Sequence, residues 1–358
     1  MTHILFPSTD ALLDATTLSE VTGQRIADVR THPLHAEYAK SGSHLLVVET
    51  NAGQGPRFIL KRVSAAWDWL MRATDDERCR SVTLWTSGVF DRMPPEIEHA
   101  TVACARDGDG WAILMRDVEP DLMPYARLSE AQADRVLDAL AALHATFFAQ
   151  PNLADPPLGL CTPRHVYGMF SPATGHREAG GAEEVPQRIL EGWDLFPRVV
   201  APDVADVVLS LVADPAPLCA ALARWPQTLI HGDARHANLG LWRDGRRVVM
   251  LDWALAAVAP PAVELGRFLG TNTTLLPTSK EATLAGYRAH LARWLGDRFS
   301  DDWWEPQLAL GLLGGFVQDG WSMVLKASHW RVPAEERPHW RADLEWWSNR
   351  VREGVKWV

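Results

Sequence analysis

The first third of the chain contains short segments of β-forming residues bounded by turn residues. Runs of this kind are typical of strands. The predicted strands are 44–50, 57–63, 100–105 and 110–117. A helical stretch is expected between them, at about 65–88. Residues 1–117 are therefore predicted to form a small β-rich lobe that carries one helix.

The rest of the chain has mainly helical periodicity. Ser129 and Gln132 have the spacing of a capping box. The apolar residues that follow recur every three or four positions, which indicates one buried helix face. Residues 151–186 are rich in proline and are predicted to form a loop-rich insertion, and helices resume after it. Residues 118–358 are thus expected to form a second, larger and mostly helical lobe.

Composition restricts the possible functions of this chain of 358 residues. Its 35 basic and 45 acidic residues give a net charge of −10, which argues against a nucleic-acid-binding protein. The longest apolar runs fall far short of the ~20 residues that span a bilayer, so no membrane association is expected. Four cysteines without metal-binding spacing and the absence of a signal-peptide pattern favour a cytoplasmic protein.

The segment 228–253 carries the most informative set of polar residues. Asp233, Asn238 and Asp252 lie in or beside loops that two apolar strands bracket. Phosphoryl transfer needs a carboxylate that orients the attacking hydroxyl, together with an amide oxygen and a second carboxylate that hold Mg²⁺. Protein kinases have the same spacing of five between the catalytic aspartate and the asparagine.

This pattern, His-Gly-Asp-x-x-x-x-Asn followed by Leu-Asp-Trp, resembles the aminoglycoside phosphotransferase/choline kinase-like superfamily. The resemblance implies an α+β, bilobal protein-kinase-like fold. It also implies that Asp233 is the catalytic base and that Asn238 and Asp252 are the metal ligands. His231 would hold the loop, and Arg235 is a candidate for stabilising charge in the transition state.

An upstream lysine supports the same interpretation. Lys61 lies in the middle of an apolar strand, where a kinase places the lysine that contacts the nucleotide phosphates. A snorkelling lysine at a sheet edge is the alternative. The acid that would hold this lysine is less evident in the sequence, and Glu77, on the predicted helix that follows, is the candidate.

Further residues are assigned to the nucleotide by position. Ser41, Gly42 and Ser43 form a turn that would bring backbone N–H groups and a hydroxyl to the phosphates, although this turn lacks the protein-kinase glycine pattern. Met115 lies where the resemblance places the hinge between the lobes. Glu264 stands where relatives usually carry an aspartate that braces the catalytic loop.

The phosphate acceptor is expected to bind to the helical lobe, which contains most of the tryptophans. A polycationic aminoglycoside would need several convergent acids. The acids available in this region are Asp301, Asp302, Glu305, Asp319, Glu335 and Glu336. Asp319 is the preferred candidate because it interrupts a small and apolar helix face. It is either a pocket acid or a polar residue at a helix end.

These observations favour an ATP- and Mg²⁺-dependent O-phosphotransferase that acts on a small hydroxylated molecule. The acceptor could be an aminoglycoside, an amino sugar, another sugar or an amino alcohol. A nucleotide-binding pseudokinase with a regulatory role is the alternative. A protein kinase is disfavoured, because His-Gly-Asp replaces His-Arg-Asp and no Ala-Pro-Glu segment follows Asp252.

Overall fold

The structure is a computed structural model that describes residues 3–35, 40–243, 245–330 and 332–358. The strands are β1 (Leu5–Phe6), β2 (Val29–Pro33), β3 (His44–Thr50), β4 (Phe58–Val63), β5 (Ile97–His99), β6 (Thr101–Asp107), β7 (Gly110–Arg116), β8 (Thr228–Ile230), β9 (Leu239–Leu241), β10 (Val248–Met250) and β11 (Ala257–Ala259). The helices are α1 (Thr9–Leu13), α2 (Ala15–Thr22), α3 (Trp69–Ala73), α4 (Arg80–Thr86), α5 (Glu130–Thr146), α6 (Pro163–Gly168), α7 (Pro172–Glu178), α8 (Val185–Val199), α9 (Pro202–Ala213), α10 (Ala216–Leu222), α11 (Pro261–Asn272), α12 (Lys280–Leu295), α13 (Asp301–Ser328) and α14 (Arg337–Gly354).

The N-terminal part is built on a six-stranded sheet with the order β1-β6-β7-β4-β3-β2. The predicted strands at 44–50 and 57–63 are β3 and β4, which pair antiparallel. One face of the sheet packs against α1 and α2 through a small apolar core that includes Leu12, Leu18 and Leu60. The opposite face contributes Val63 and Ile113 to the main core of the protein.

The helix predicted at 65–88 is instead two short helices, α3 and α4. The chain between them turns sharply, and Asp75 and Cys79 have left-handed φ angles of 50° and 59°. Because residues with positive φ interrupt the helical hydrogen-bond ladder, the side chains after α3 do not continue its helical face. This break determines where Glu77 lies.

One strand from the first 117 residues joins the larger part of the molecule. β5 pairs in parallel with β10, which in turn pairs antiparallel with β9. A second small sheet is formed by β8 and β11. These two small sheets contain the strands of the segment 228–253, and the pairing of β5 with β10 attaches this segment to the N-terminal part of the chain.

The helical part is organised around α13, which packs against α8, α11 and α14. The axes of α11 and α13 approach closely at Gly266, where a Cβ atom would lie 2.4 Å from the carbonyl oxygen of Gly311.

The proline-rich segment 151–186 is not a loop-rich insertion, because it contains α6, α7 and the start of α8. Tyr167 and Met169 in this segment are fully buried. The α+β architecture predicted from the sequence is confirmed.

Length and composition alone would allow α13 to cross a membrane. In the described residues it is the one single helix with this property, and α9 and α10 share it only if their bent pair is counted as one span. However, 89% of the apolar window of α13 is buried inside the protein. This burial is typical of the core helix of a soluble protein.

Candidate active site

The loop between β8 and β9 is held in shape by His231. Its Nε2 donates a hydrogen bond to the carbonyl oxygen of Leu251 (2.8 Å), and its Nδ1 accepts one from the backbone N–H of Asp233 (3.2 Å). Its ring also lies edge-on to that of Trp253. Gly232 adopts a φ of 80°, and a Cβ there would lie 2.1 Å from the carbonyl oxygen of Leu255. His231 therefore joins the loop to the segment that carries Asp252.

Asp233 is buried, and its carboxylate accepts four hydrogen bonds. Oδ2 receives them from Asn238 Nδ2 (2.8 Å) and Arg235 Nε (3.1 Å). Oδ1 receives them from Arg267 Nε (3.0 Å) and Nη2 (2.7 Å). Burial alone would raise the pKa of Asp233, but the two guanidinium groups hold this pKa well below its usual range. Asp233 is thus a fixed carboxylate that stays ionised.

Lys61 and Asp252 meet between the six-stranded sheet and the small sheets. Lys61 Nζ lies 2.7 Å from Asp252 Oδ1. Burial would lower the pKa of Lys61, but the carboxylate of Asp252 raises it overall. Burial would likewise raise the pKa of Asp252, and Lys61 keeps it below its usual value. Both groups therefore remain charged.

The second carboxylate near Lys61 belongs to Asp68, which the sequence interpretation did not single out. Asp68 caps α3 by accepting hydrogen bonds from the N–H groups of Leu70 and Met71. Burial raises the pKa of Asp68, although the charge of Lys61 opposes this effect. An aspartate just before an apolar helical run is a capping signal that could have been found in the sequence.

The structure does not bring Glu77 to Lys61. Glu77 is exposed in the turn between α3 and α4, because the chain leaves the helix before this residue. The expectation that Glu77 holds Lys61 assumed one continuous helix over 65–88. Among the described residues, Asp252 contacts Lys61, and Asp68 lies close enough for its charge to act on Lys61.

The turn Ser41-Gly42-Ser43 lies directly before β3 and packs beside Asp68. Ser41 Oγ donates to Asp68 Oδ2 (2.8 Å), and the carbonyl oxygen of Ser41 accepts from the N–H of Trp69 (2.9 Å). Gly42 has a φ of 100°, and a Cβ there would lie 2.4 Å from a backbone oxygen. Ser41, Lys61, Asp68 and Asp252 line one cavity.

The hinge candidate Met115 lies near the end of β7. It is half-buried and pairs with Ile59 of β4 and Thr101 of β6. It stands two residues beyond Ile113, which pairs with Lys61. Met115 and Lys61 are therefore on adjacent strands, with Met115 closer to the start of the helical part.

Glu264 braces the catalytic loop despite being longer than the aspartate expected there. Its carboxylate accepts from the backbone N–H of Gly232 at 3.1 and 3.2 Å, and His144 Nε2 lies 3.8 Å away. Glu264 is fully buried. Burial would raise the pKa of Glu264, but the nearby imidazoles of His144 and His231 and the backbone N–H of Gly232 lower it overall.

Asn272, at the end of α11, is a second brace that the sequence interpretation missed. Its Oδ1 accepts from the N–H of His236 (2.8 Å), and its Nδ2 donates to the carbonyl oxygen of Ala234 (3.0 Å). Backbone-directed contacts of this kind depend on how α11 docks under the loop. They leave no pattern in the sequence near Asp233.

Asp319 lies in the middle of α13, so it is not a residue at a helix end. It is buried and forms an ion pair with Arg267. The other candidate acids lie elsewhere on the surface: Asp301, Asp302, Glu305, Glu335 and Glu336. Asp301, for example, pairs with Arg288. The convergent acids that a polycationic acceptor would need are not assembled by these residues.

The tryptophans of the helical part mainly pack the core. Trp304, Trp340 and Trp347 are among its largest fully buried side chains. Trp294 and Trp357 are exposed in part. Most of this tryptophan content therefore stabilises the helix packing around α13 rather than presenting rings to a ligand.

The side chains of Asn238 and Asp252 suit a hard divalent cation. Asn238 turns its NH₂ group towards Asp233, so its amide oxygen points away from this carboxylate. An amide oxygen and a carboxylate are the donors that Mg²⁺ prefers, with phosphate oxygens and waters completing the shell. No cluster of three or more His, Cys, Asp or Glu residues that could hold a metal occurs in the described ranges. This donor set therefore fits a cation that arrives with a nucleotide.

Sequence comparison agrees with this constellation. The sequence profile of the phosphotransferase enzyme family (APH) matches residues 35–300. The chain belongs to this family. The enzyme is accordingly a small-molecule kinase, a phosphotransferase that uses a hydroxyl group as acceptor. The predicted family is thereby confirmed. No curated protein matches the chain significantly in sequence.

Several solved structures are similar to the enzyme over nearly its whole length. A macrolide 2'-phosphotransferase type I is 18% identical, with a TM-score of 0.46, and the match covers 95% of this chain and 99% of that one. Plasmodium vivax ethanolamine kinase is 12% identical, with a TM-score of 0.47 and coverages of 100% and 94%. Choline kinase LicA from Streptococcus pneumoniae is 11% identical, with a TM-score of 0.46 and coverages of 93% and 98%. These distant likenesses do not indicate a particular acceptor.

Proposed function

We propose that the enzyme transfers the γ-phosphoryl group of ATP to a hydroxyl group of a small molecule. The observation that carries this proposal is the convergence of four residues from three separate segments. Lys61 contacts Asp252, Asn238 contacts Asp233, and the carboxylates of Asp233 and Asp252 are close enough for the charge of one to affect the pKa of the other. These are the groups that phosphoryl transfer requires.

Each residue has a defined role in the proposed mechanism. Lys61 binds the α- and β-phosphates, and Asp233 accepts a hydrogen bond from the acceptor hydroxyl. The hydroxyl oxygen forms a bond to the γ-phosphorus while the bond from this phosphorus to the β–γ bridging oxygen breaks. The hydroxyl proton passes to Asp233 or to solvent, and ADP leaves. Arg235, 3.1 Å from Asp233, is placed to stabilise charge on the transferred group.

Asn238 and Asp252 would hold Mg²⁺ through their side-chain oxygens. When bound, this ion neutralises charge on the β- and γ-phosphates. Asp252 Oδ1 also accepts a hydrogen bond from Lys61, so the residue that would hold the metal and the residue that would bind the phosphates are in direct contact.

The two parts of the chain are proposed to have different roles. Residues 1–117 supply the nucleotide-binding groups, including Ser41, Gly42, Ser43 and Met115. Residues 118–358 supply the catalytic loop, the metal ligands and the acceptor site. The enzyme is also proposed to be cytoplasmic, because ATP is available there.

The acceptor is proposed to be an amino sugar, another sugar, an amino alcohol or an aminoglycoside. The surface acids do not converge on one site, and the buried Asp319 is already paired with Arg267. An acceptor with few positive charges is therefore favoured over a polycationic aminoglycoside. Asp319 is therefore proposed to hold Arg267 in place and not to bind an ammonium group of the acceptor directly.

A turnover assay with Mg·ATP tests the proposal and separates it from the pseudokinase alternative. Wild-type enzyme is incubated with amino sugars, neutral sugars, amino alcohols, macrolides and aminoglycosides, and phosphorylated products are detected by mass spectrometry. Nucleotide affinity is measured in parallel by calorimetry. Turnover of at least one acceptor supports the kinase. Tight Mg·ATP binding without any phosphorylated product in a broad panel would support the pseudokinase.

A further inference from the structure

Arg267 contacts two buried carboxylates at once. Its Nε and Nη2 donate to Asp233 Oδ1, while its Nη1 donates to Asp319 Oδ1. The guanidinium group also packs over the Phe170 ring, with its central carbon 5.3 Å from the ring centroid. The three side chains come from the catalytic loop, α11 and α13, so the arrangement links two core helices to Asp233.

The hydrogen-bond capacity of Asp233 shows which of its neighbours has to leave. A carboxylate has about four lone-pair positions, and all four are used by Asn238, Arg235 and Arg267. An acceptor hydroxyl that binds Asp233 must therefore displace one donor. The Arg235 side chain is 28% exposed and Arg267 is 10% exposed. Arg267 makes two bonds to Oδ1 and is itself held by Phe170 and Asp319, so Oδ2, with its more exposed donor Arg235, is the oxygen that can change partners.

We propose that Arg267, anchored by Asp319, is a positioning residue that fixes Asp233 by Oδ1 and leaves Oδ2 for the acceptor hydroxyl. This inference rests on the proposed kinase function and deepens it. Asp319 acts only through Arg267 and contacts no substrate. Near-attack geometry explains the benefit, because a displacement of about 1 Å at the reacting groups can lower the rate roughly 100-fold.

The two residues make different predictions for substitution. Arg267→Met removes both bonds to Oδ1 and frees the carboxylate to rotate. We expect kcat to fall roughly 10- to 100-fold while KM for Mg·ATP changes less than about twofold. Arg267→Lys retains one donor and should recover part of kcat. Asp319→Asn keeps an acceptor for Arg267 and should cost less than Asp319→Leu.

A double-mutant cycle tests whether Asp319 acts through Arg267. Asp319→Leu should lower kcat in the wild-type background and have no further effect in the Arg267→Met background. An equal loss in both backgrounds would overturn the proposal. The surface pair Arg288–Asp301 supplies the matched control, since Arg288 also packs over an aromatic ring, that of Phe299. Arg288→Met should leave kcat unchanged.

A crystal structure of the Arg267→Met variant gives a readout that does not require turnover. The proposal predicts that the Asp233 carboxylate leaves its original rotamer. An unchanged rotamer in a folded variant would overturn the proposal, whatever the kinetic result. If the wild-type enzyme phosphorylates no acceptor while this rotamer changes as expected, the proposed function fails and the positioning contact stands. If Arg267→Met does not fold, Arg267→Lys and Asp319→Asn carry the same comparison.

Discussion

Lys61 and Asp252 are 191 positions apart in the sequence, and their Nζ and Oδ1 atoms lie 2.7 Å apart. This ion pair joins the middle of β4 to the segment after β10. Nucleotide phosphates would compete for the lysine, and a metal ion would compete for the aspartate. The contact therefore joins the residue proposed to bind the phosphates to a residue proposed to hold the metal.

Lys61→Met should weaken the use of ATP. The variant loses the cation expected to hold the phosphates, so we expect kcat/KM for ATP to fall roughly 100-fold, as for the loss of one preorganised electrostatic donor. Steady-state kinetics at saturating acceptor measure this effect. Lys356→Met, at an exposed position near the C-terminus, is the control and should keep wild-type kinetics. Normal ATP kinetics in Lys61→Met would remove this residue from the site.

Glu264→Ala should destabilise the fold as well as the catalytic loop. It leaves the buried N–H of Gly232 without its acceptor, which costs about 1–3 kcal/mol in the free energy of unfolding. Urea denaturation followed by circular dichroism measures this quantity. Glu345→Ala, at an exposed position on α14, should change it by less than about 0.5 kcal/mol. Equal effects of the two substitutions would show that Glu264 is not a brace.

Because of Lys326, the free energy of unfolding should change with pH in the alkaline range. Its ammonium group lies 4.4 Å from the centroid of the Trp340 ring, and burial lowers its pKa from 10.5 to about 8. Between these values the unfolded chain binds a proton that the folded protein has released, so stability rises with pH in this window. Below pH 8 the cost of the buried charge is fully present.

Lys326→Met should consequently raise the free energy of unfolding at pH 7 and flatten its rise between about pH 8 and 10.5. Denaturation curves at several pH values measure both effects. Lys356→Met is again the matched control. A variant less stable than the wild type at pH 7 would mean that Lys326 contributes a net favourable interaction with its neighbours.

The loop that brings Asp233 and Asn238 together could be predicted because these residues are close in sequence. The spacing of Asp233 and Asn238, and the strand containing Lys61, are local patterns that the fold preserves. Asp68 lies near Lys61, where Glu77 was predicted. Glu77 is elsewhere because positive φ angles at Asp75 and Cys79 break the predicted helix. Such breaks arise from tertiary packing, which overrides helical propensity.

The contacts of Arg267 and Asn272 were not predictable for a related reason. Both residues lie on α11, and their partners depend on how this helix docks beneath the catalytic loop. The pairing of β5 with β10 likewise joins segments that are distant in sequence. The sequence pattern shows which elements exist, but it does not determine which side chains meet across them.

The most direct measurement compares phosphorylation by the wild type and by Asp233→Asn on the same acceptor. The amide retains the size of the side chain but loses the negative charge and one of its two acceptor oxygens. We expect kcat to fall about 10²- to 10⁴-fold with the affinity for Mg·ATP retained. Asp302→Asn, at an exposed position on α13, serves as the control. Equal turnover by Asp233→Asn and the wild type would contradict the assignment of the active site.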